Sequence, residues 1–175
     1  MRIRVLCTVT TLILLVGLCF GQRAPVPVLN AVHDGDVSLN YMLVVKDKNL
    51  DLGNGINFTA TRYFTQHLGL IAEVEAMYVS SLQRHEYAGR LGPVLHFNGN
   101  KDIQPFVHAL AGYDVVDGPR VSGASVMAGG GVDVRLKGPF FVRVTSDIVD
   151  DLGPPHFRFG RGTAGFAYHF GNSRR

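Results

Sequence analysis

The chain has 175 residues, of which 46% are hydrophobic and only 18% are charged, with 21 glycines and a formal net charge of +3. Low charge combined with abundant apolar residues excludes a disordered or collagen-like chain. The excess of basic residues is small and scattered along the sequence. A protein that binds nucleic acid usually concentrates positive charge on one face, so we do not expect nucleic acid as a partner. One compact domain is the expectation at this length.

The N-terminal segment has the pattern of a secretory signal peptide. Arg2 and Arg4 precede an apolar or small run over 5–20, and a small residue, Gly21, fits a cleavage site. The run is short for a membrane-spanning helix, which needs about 20 apolar residues. The sequence therefore predicts a cleaved leader over 1–21.

The mature domain over 22–175 contains no cysteine, because Cys7 and Cys19 both lie in the leader. An exported chain without cysteine has no disulfide scaffold and no thiolate metal site. Its stability must come from a core or from a membrane.

Period-two alternation recurs along the mature chain, broken by glycine, proline, asparagine and aspartate. The clearest case is 124–136, followed by a tight turn at Gly138-Pro139 and a second alternating stretch over 140–148, which together predict a hairpin. Eight strands are predicted in this way: 37–45, 56–61, 68–78, 87–97, 105–113, 124–136, 140–148 and 161–170. For the strand over 105–113, the alternation does not decide which side chains point into the barrel.

The charged residues decide which face of these strands lies inside. The polar faces carry four acids and four arginines: Glu73, Glu75, Asp133, Asp147, Arg90, Arg135, Arg143 and Arg161. Inside a narrow barrel such balance is required, because unpaired buried charge is prohibitive whereas paired arginines are tolerated. The alternative is a soluble, secreted ligand-binding barrel with its apolar faces inward. We favour a polar interior with an internal charge network and apolar outer faces.

Aromatic residues and loop lengths agree with a membrane barrel. Aromatic side chains stand near predicted strand ends, as interfacial girdles require: Tyr41, Tyr78, Phe97, Phe140, Phe157 and Phe170. Short turns alternate with longer polar connections at 46–54, 79–86, 114–123 and 150–156. The predicted fold is all-β: an eight-stranded antiparallel up-and-down transmembrane β-barrel.

Several segments in this order resemble the small bacterial outer-membrane β-barrels of the OmpA/OmpX type, the outer membrane protein beta-barrel domain group. The segments are Tyr41, Gly92-Pro93, 105–112, 129–135, Arg143 with Asp147, and a last strand ending at Phe170-Gly171. The resemblance implies a location in the bacterial outer membrane, surrounded by its lipid. It also implies that Tyr168 and Phe170 form a C-terminal signal for the barrel assembly machinery. It specifies no surface ligand.

Candidate chemistry is weak by comparison. The glycines at 129–131 lack the Gly-Lys-Ser/Thr of a phosphate loop, and the seven histidines include no His-x-x-x-His pair, so no cofactor and no metal are expected. The aspartates at 114, 117, 150 and 151 are interpreted as solvated turn residues rather than calcium ligands.

Some barrels of this kind are enzymes that modify lipid A with a lipid-facing Ser/His site. The residues here that invite this alternative are Ser80, Ser81 and His85 in one loop and Ser146 on an apolar face. Their spacing does not show the hydrogen-bond contact that a Ser–His pair needs. The expected role is therefore structural, in membrane integrity or a surface contact, and we expect no catalytic residues.

Overall fold

The computed structural model describes residues 34–46, 51–79, 84–97, 102–116, 122–153 and 157–171. The predicted leader, Ser80, Ser81 and Asp117 lie outside the described residues. Eight strands are present: β1 (Gly35–Lys46), β2 (Asp51–Tyr63), β3 (Leu68–Val79), β4 (Arg84–His96), β5 (Ile103–Val116), β6 (Ser122–Lys137), β7 (Phe140–Asp151) and β8 (Phe157–Phe170).

The strands form a closed barrel in which each strand pairs antiparallel with its neighbours in sequence. Closure is made by β1 and β8, which pair from Gly35 opposite Phe170 to Lys46 opposite Phe159. Closure leaves no free sheet edge, so every strand has two hydrogen-bonding neighbours. The predicted eight-stranded antiparallel barrel is confirmed. In the described part of the chain, no helix is long and apolar enough to cross a membrane.

The strands are longer than the alternation predicted. They span 12–16 residues, and β2 begins at Asp51 while β5 continues to Val116. Pairing with a neighbouring strand satisfies the backbone hydrogen bonds whatever the side chain, so the strand pairing continues into polar stretches that the sequence predicts as loops. The connections at one end, the loop rim, are therefore only 47–50, 80–83, 117–121 and 152–156.

The opposite end, the turn rim, holds Asp34, Gly171 and the connections after β2, β4 and β6. The tightest of them uses Gly138, whose φ of 59° lies in the left-handed region that glycine adopts without strain.

The facing of the strands agrees with the charge argument. Large apolar side chains such as Leu39, Ile56 and Val74 are more than half exposed on the outer surface, at 59%, 56% and 58%. Their polar strand neighbours are buried inside. In β5, whose facing was open, Phe106 and His108 are buried. The predicted arrangement of apolar faces outside and polar faces inside is confirmed.

The interior is not filled by charges alone. Toward the loop rim it holds an apolar layer, and the buried side chains of this layer include Met42, Val44, Met77, Met127, Val149 and Phe159. Close packing of these side chains leaves little room for water within this layer. The predicted charge network therefore fills only part of the interior, because inward methionines and valines occupy the loop side.

Candidate functional site

The first charged cluster surrounds Arg143 of β7, near the turn rim, and its guanidinium is almost completely buried. Its Nε donates to Asp133 Oδ1 at 2.8 Å and its Nη2 to Asp133 Oδ2 at 2.7 Å. Its Nη1 lies 3.0 Å from Asp36 Oδ1 and donates to Thr59 Oγ1 at 3.3 Å. Three strands besides β7 thus converge on one guanidinium, and its planar fork fits the bidentate contact.

Aromatic and imidazole rings enclose this cluster. The Tyr63 hydroxyl donates to Asp36 Oδ2 at 2.5 Å and lies 2.8 Å from His96 Nε2. His169 places Nε2 3.0 Å from Asp133 Oδ2, and its ring stacks on Phe141 at 4.0 Å between centroids. The carboxylates are therefore held by several donors each, which offsets the cost of removing them from water.

The second cluster lies at mid-barrel around Arg161 of β8. Its Nη1 lies 2.7 Å from Glu73 Oε1 and also pairs with Glu75, while its Nη2 donates to Asp147 Oδ2 at 2.8 Å. His108 completes the group, with Nε2 2.9 Å from Asp147 Oδ1.

Arg90 of β4 extends this second cluster toward the loop rim. It lies 2.8 Å from Glu75 Oε1 and 3.4 Å from Glu73 Oε1. On its other side, Nη2 donates to Asp114 Oδ1 at 2.8 Å, and Ser125 donates to the same oxygen at 2.9 Å. Neighbouring arginines, Arg90 and Arg161, thus share the two glutamates.

Neutral side chains join the two clusters. Thr59 Oγ1 lies 2.7 Å from Ser38 Oγ, to which Asn40 Nδ2 donates at 2.9 Å. The same Asn40 nitrogen donates to Asn57 Oδ1 at 2.9 Å, and Asn57 Nδ2 donates to Glu73 Oε2 at 2.8 Å. Hydrogen bonds therefore run from Arg143 to Arg161 without a break.

The structure brings seven of the eight predicted network residues into these clusters: Glu73, Glu75, Arg90, Asp133, Arg143, Asp147 and Arg161. Arg135 lies apart, near the turn rim, with its guanidinium 5.5 Å from the centre of the Phe141 ring. No described carboxylate pairs with it, because at the end of β6 it reaches the rim and not the enclosed interior.

Sequence reasoning missed two of the carboxylates. Asp36 lies in phase with Ser38 and Asn40 on the polar face of β1, so the alternation carried a signal for it. The sequence predicts Asp114 as a turn residue because the predicted strand ends at residue 113, whereas β5 continues to Val116. With both included, six carboxylates meet three guanidiniums, so the expected four-to-four balance is corrected.

Little space remains inside the barrel. A cavity of about 10 Å³ lies between the two clusters, about the minimum space that holds one water molecule. Among the described residues, no group of three or more His, Cys, Asp or Glu side chains is arranged to hold a metal ion.

The outer surface places the serine and histidine of the enzyme alternative on different strands. Ser146 of β7 faces outward between Gly130 and Gly162 on the adjacent strands. His85 lies on β4, with its ring 5.1 Å from that of Tyr78. Strands β4 and β7 are separated by β5 and β6 on one side of the barrel and by four strands on the other. The described residues thus do not bring His85 to Ser146.

The predicted C-terminal signal residues Tyr168 and Phe170 point outward at the turn rim. Tyr168 packs edge-to-face on Phe140 at 5.3 Å between centroids. The backbone carbonyl of Phe170 accepts a hydrogen bond from the Asp34 amide at 3.0 Å. The chain then turns at Gly171, with a φ of 117°. The last strand therefore ends where the barrel closes.

These features define a small closed β-barrel with an apolar outer surface and an interior filled by two charged clusters and an apolar layer. Among solved structures, the chain is similar to the Neisserial surface protein A, NspA, with a TM-score of 0.67, 12% identity, and coverage of 78% of this chain and 97% of that one. It is also similar to the outer membrane protein OprG from Pseudomonas aeruginosa, with a TM-score of 0.60, 12% identity, and coverage of 82% and 99%.

A third similar structure is the outer membrane enzyme PagL, with a TM-score of 0.53, 16% identity, and coverage of 76% of this chain and 98% of that one. No family model and no curated protein matches the sequence. At these identities the similarity shows the fold, which is that of eight-stranded bacterial outer-membrane barrels.

Proposed function

We propose that the protein is a structural component of a bacterial outer membrane, an OmpA/OmpX-type barrel that supports membrane integrity or a surface contact and does not conduct solutes. The observation that carries this proposal is the sealed interior. Three guanidiniums, six carboxylates and an apolar layer fill it and leave a cavity of about 10 Å³. An eight-stranded barrel has room inside for little more than side chains.

The outer belt supports the location. Exposed Leu, Ile, Val and Phe side chains cover the middle of the barrel. Among the described residues, the exposed aromatic side chains toward the loop rim are tyrosines and most of those toward the turn rim are phenylalanines, whereas Tyr41, predicted near a strand end, lies in the middle of β1. In water such a surface would be far larger than the apolar patches that soluble monomers expose. Export by a cleaved leader and insertion by the barrel assembly machinery, guided by Tyr168 and Phe170, belong to the same proposal.

The first test separates membrane barrel from secreted barrel. Cells expressing the full chain are fractionated, and membranes are run on gels with and without boiling. We expect the protein in the outer-membrane fraction with a band that shifts on heating. A periplasmic protein without a shift would contradict the proposal.

The second test addresses conduction. The purified barrel is reconstituted into planar bilayers and sugar-swelling liposomes, with a general porin as the positive control. We expect no stable conductance steps and no swelling above protein-free liposomes. Steady open channels in the wild-type barrel would contradict the sealed interior.

The role in integrity is tested in the native host. A deletion strain is expected to become sensitive to detergent, and a plasmid copy of the wild-type gene should restore resistance. An Arg143→Met copy, which disturbs the interior cluster, should restore less resistance than an Arg158→Met copy, which changes an exposed ion pair. A deletion strain with unchanged detergent resistance would leave surface contact as the proposed role.

The similarity to PagL, an outer membrane enzyme, favours an enzyme as a second candidate. We propose lipid as its substrate class, because Ser146 faces outward from the barrel. The outward Ser146 is the nucleophile it would use. A nucleophilic serine needs a base within hydrogen-bond reach, and the strand neighbours of Ser146 are Gly130 and Gly162. Mass spectrometry of lipids from expressing cells tests this candidate, and a lipid change that Ser146→Ala abolishes would support it over the structural role.

A further inference from the structure

Among the buried polar atoms of the barrel interior, two on residues that line the cavity have no hydrogen-bond partner among the described residues. They are Asn40 Oδ1, on a side chain that is 2% exposed, and His108 Nδ1, on a side chain that is 7% exposed. Both residues line the cavity between the Arg143 and Arg161 clusters. A buried polar atom without a partner is destabilising, because it has lost its hydrogen bonds to water without replacement, so it calls for a ligand.

The orientation of each atom is fixed by its other contacts. Asn40 Nδ2 donates to both Ser38 and Asn57, which assigns the remaining atom as the carbonyl oxygen, an acceptor. An added Cβ at Gly165 would approach that oxygen to 2.6 Å, so the glycine makes room for it.

His108 is fixed through Asp147. Its Nε2 lies 2.9 Å from the Asp147 carboxylate, which accepts a hydrogen bond, so Nε2 carries the proton. In the neutral ring Nδ1 is then an acceptor. The cavity therefore presents two acceptors, and a ligand that donates two hydrogen bonds satisfies both. If the ring is doubly protonated, the same ligand must accept one bond from it.

We propose that one water molecule binds at this position as an integral part of the barrel, donating to Asn40 Oδ1 and bonded to His108 Nδ1. Water suits both protonation forms of the imidazole, because it can either donate a hydrogen bond to Nδ1 or accept one from it. The cavity volume of about 10 Å³ excludes a larger ligand. Two guanidiniums, those of Arg143 and Arg161, and a single carboxylate, that of Glu73, line the cavity and oppose a cation. Through Asn40, the water would connect the His108–Asp147 pair to the neutral side chains that join the two charged clusters.

The test uses the mature barrel, folded in detergent micelles and labelled with ¹³C and ¹⁵N. We expect a nuclear Overhauser cross-peak between the water resonance and the His108 ring proton Hε1, with the sign of a long-lived complex. In Asn40→Leu, which deletes one acceptor, the cross-peak should be lost. In Ser125→Ala, an interior change at Arg90 and Asp114, it should remain.

The heat-shifted band shows that each variant is folded. If Asn40→Leu does not fold, Thr163→Ile, which fills the cavity from β8, takes its place. A folded wild-type barrel without the cross-peak would overturn the proposal. So would a cross-peak that persists unchanged in the folded Asn40→Leu or Thr163→Ile variant. Neither result would bear on whether the barrel conducts solutes.

Discussion

Arg143 and Asp133 stand directly opposite each other on β7 and β6 and form two parallel hydrogen bonds, of 2.8 and 2.7 Å. The pair is cross-strand, so the same register that aligns the backbones brings the guanidinium to the carboxylate. Asp36 and Thr59 then reach the remaining Nη1 from β1 and β2. One arginine side chain therefore contacts strands on both sides of the β1–β8 closure.

Removal of this guanidinium should be strongly destabilising. Arg143→Met leaves Asp133 and Asp36 buried without their main partner, and breaking a buried pair costs about 3–5 kcal/mol. The measurement is the free energy of unfolding in urea, with the barrel folded in lipid vesicles. The control is Arg158→Met, because Arg158 pairs with Asp150 on the outside at 2.6 Å with a side chain 70% exposed. An exposed pair contributes about 0–1 kcal/mol, so equal losses in the two variants would contradict the structural role of the cluster.

The apolar outer surface of the barrel predicts that the stability cost of an outward-facing arginine depends on its depth in the bilayer. Val74 in the middle of β3 and Leu136 near the turn rim are equally exposed, at 58% and 57%. An arginine at the bilayer midplane costs about 2–4 kcal/mol and one near the interface about 0–1 kcal/mol. Val74→Arg should therefore destabilise the vesicle-bound barrel far more than Leu136→Arg.

The same urea titration measures both variants. Val74→Lys and Leu136→Lys should repeat the order, because the cost belongs to the charge and not to one side chain. A secreted barrel in water would tolerate both outward arginines. Equal tolerance at the two sites would therefore argue against a membrane around the belt.

The backbone packing of β4 and β5 predicts that alanine substitution at two neighbouring glycines has opposite effects on the stability of the barrel. A Cβ added at inward-facing Gly112 would lie 2.7 Å from Arg90 Cα and collide with the Gly89 carbonyl, whereas one added at outward-facing Gly89 meets nothing within 4 Å. Overpacking costs about 1–3 kcal/mol, so Gly112→Ala should destabilise the barrel. Gly89→Ala should be neutral or stabilising by about 0.4–1 kcal/mol, since it reduces the entropy of the unfolded chain. A destabilised Gly89→Ala with an unaffected Gly112→Ala would contradict the packing of the two strands.

The alternation of side chains made the barrel and its facing predictable, because a period of two assigns every residue of a strand to one face. It could not identify partners across the interior. Arg161 contacts Glu73 although they are 88 residues apart, and that contact depends on where β8 meets β1. Nor could it place Arg135, because the distance of an inward residue from the rim depends on the tilt of the strands.

Asp114 shows the other limit of sequence reasoning. Polar residues at a strand end are typical of loops, and only the pairing of β5 with β4 and β6 shows that the ladder continues past it. The carboxylate then turns inward to Arg90. Asp114, like Asp36 on β1, stays in phase with the inward-facing residues of its strand. That phase is the signal from which a longer β5 and a larger charge network could have been predicted.

The last strand predicts an effect on assembly that is separate from stability. Phe170 lies at the end of β8 next to the closing contact with Asp34, whereas Phe166 lies on the same outer face four residues earlier and is 67% exposed. If the terminal aromatic is read by the assembly machinery, Phe170→Ala should slow the appearance of the heat-shifted form in cells after induction. Phe166→Ala removes the same kind of side chain from a more exposed position on the same face and should slow this step less. Both purified variants should then refold into detergent at similar rates, because that reaction needs no machinery. A Phe170→Ala defect equally large in the purified refolding reaction would assign the residue to packing and not to recognition.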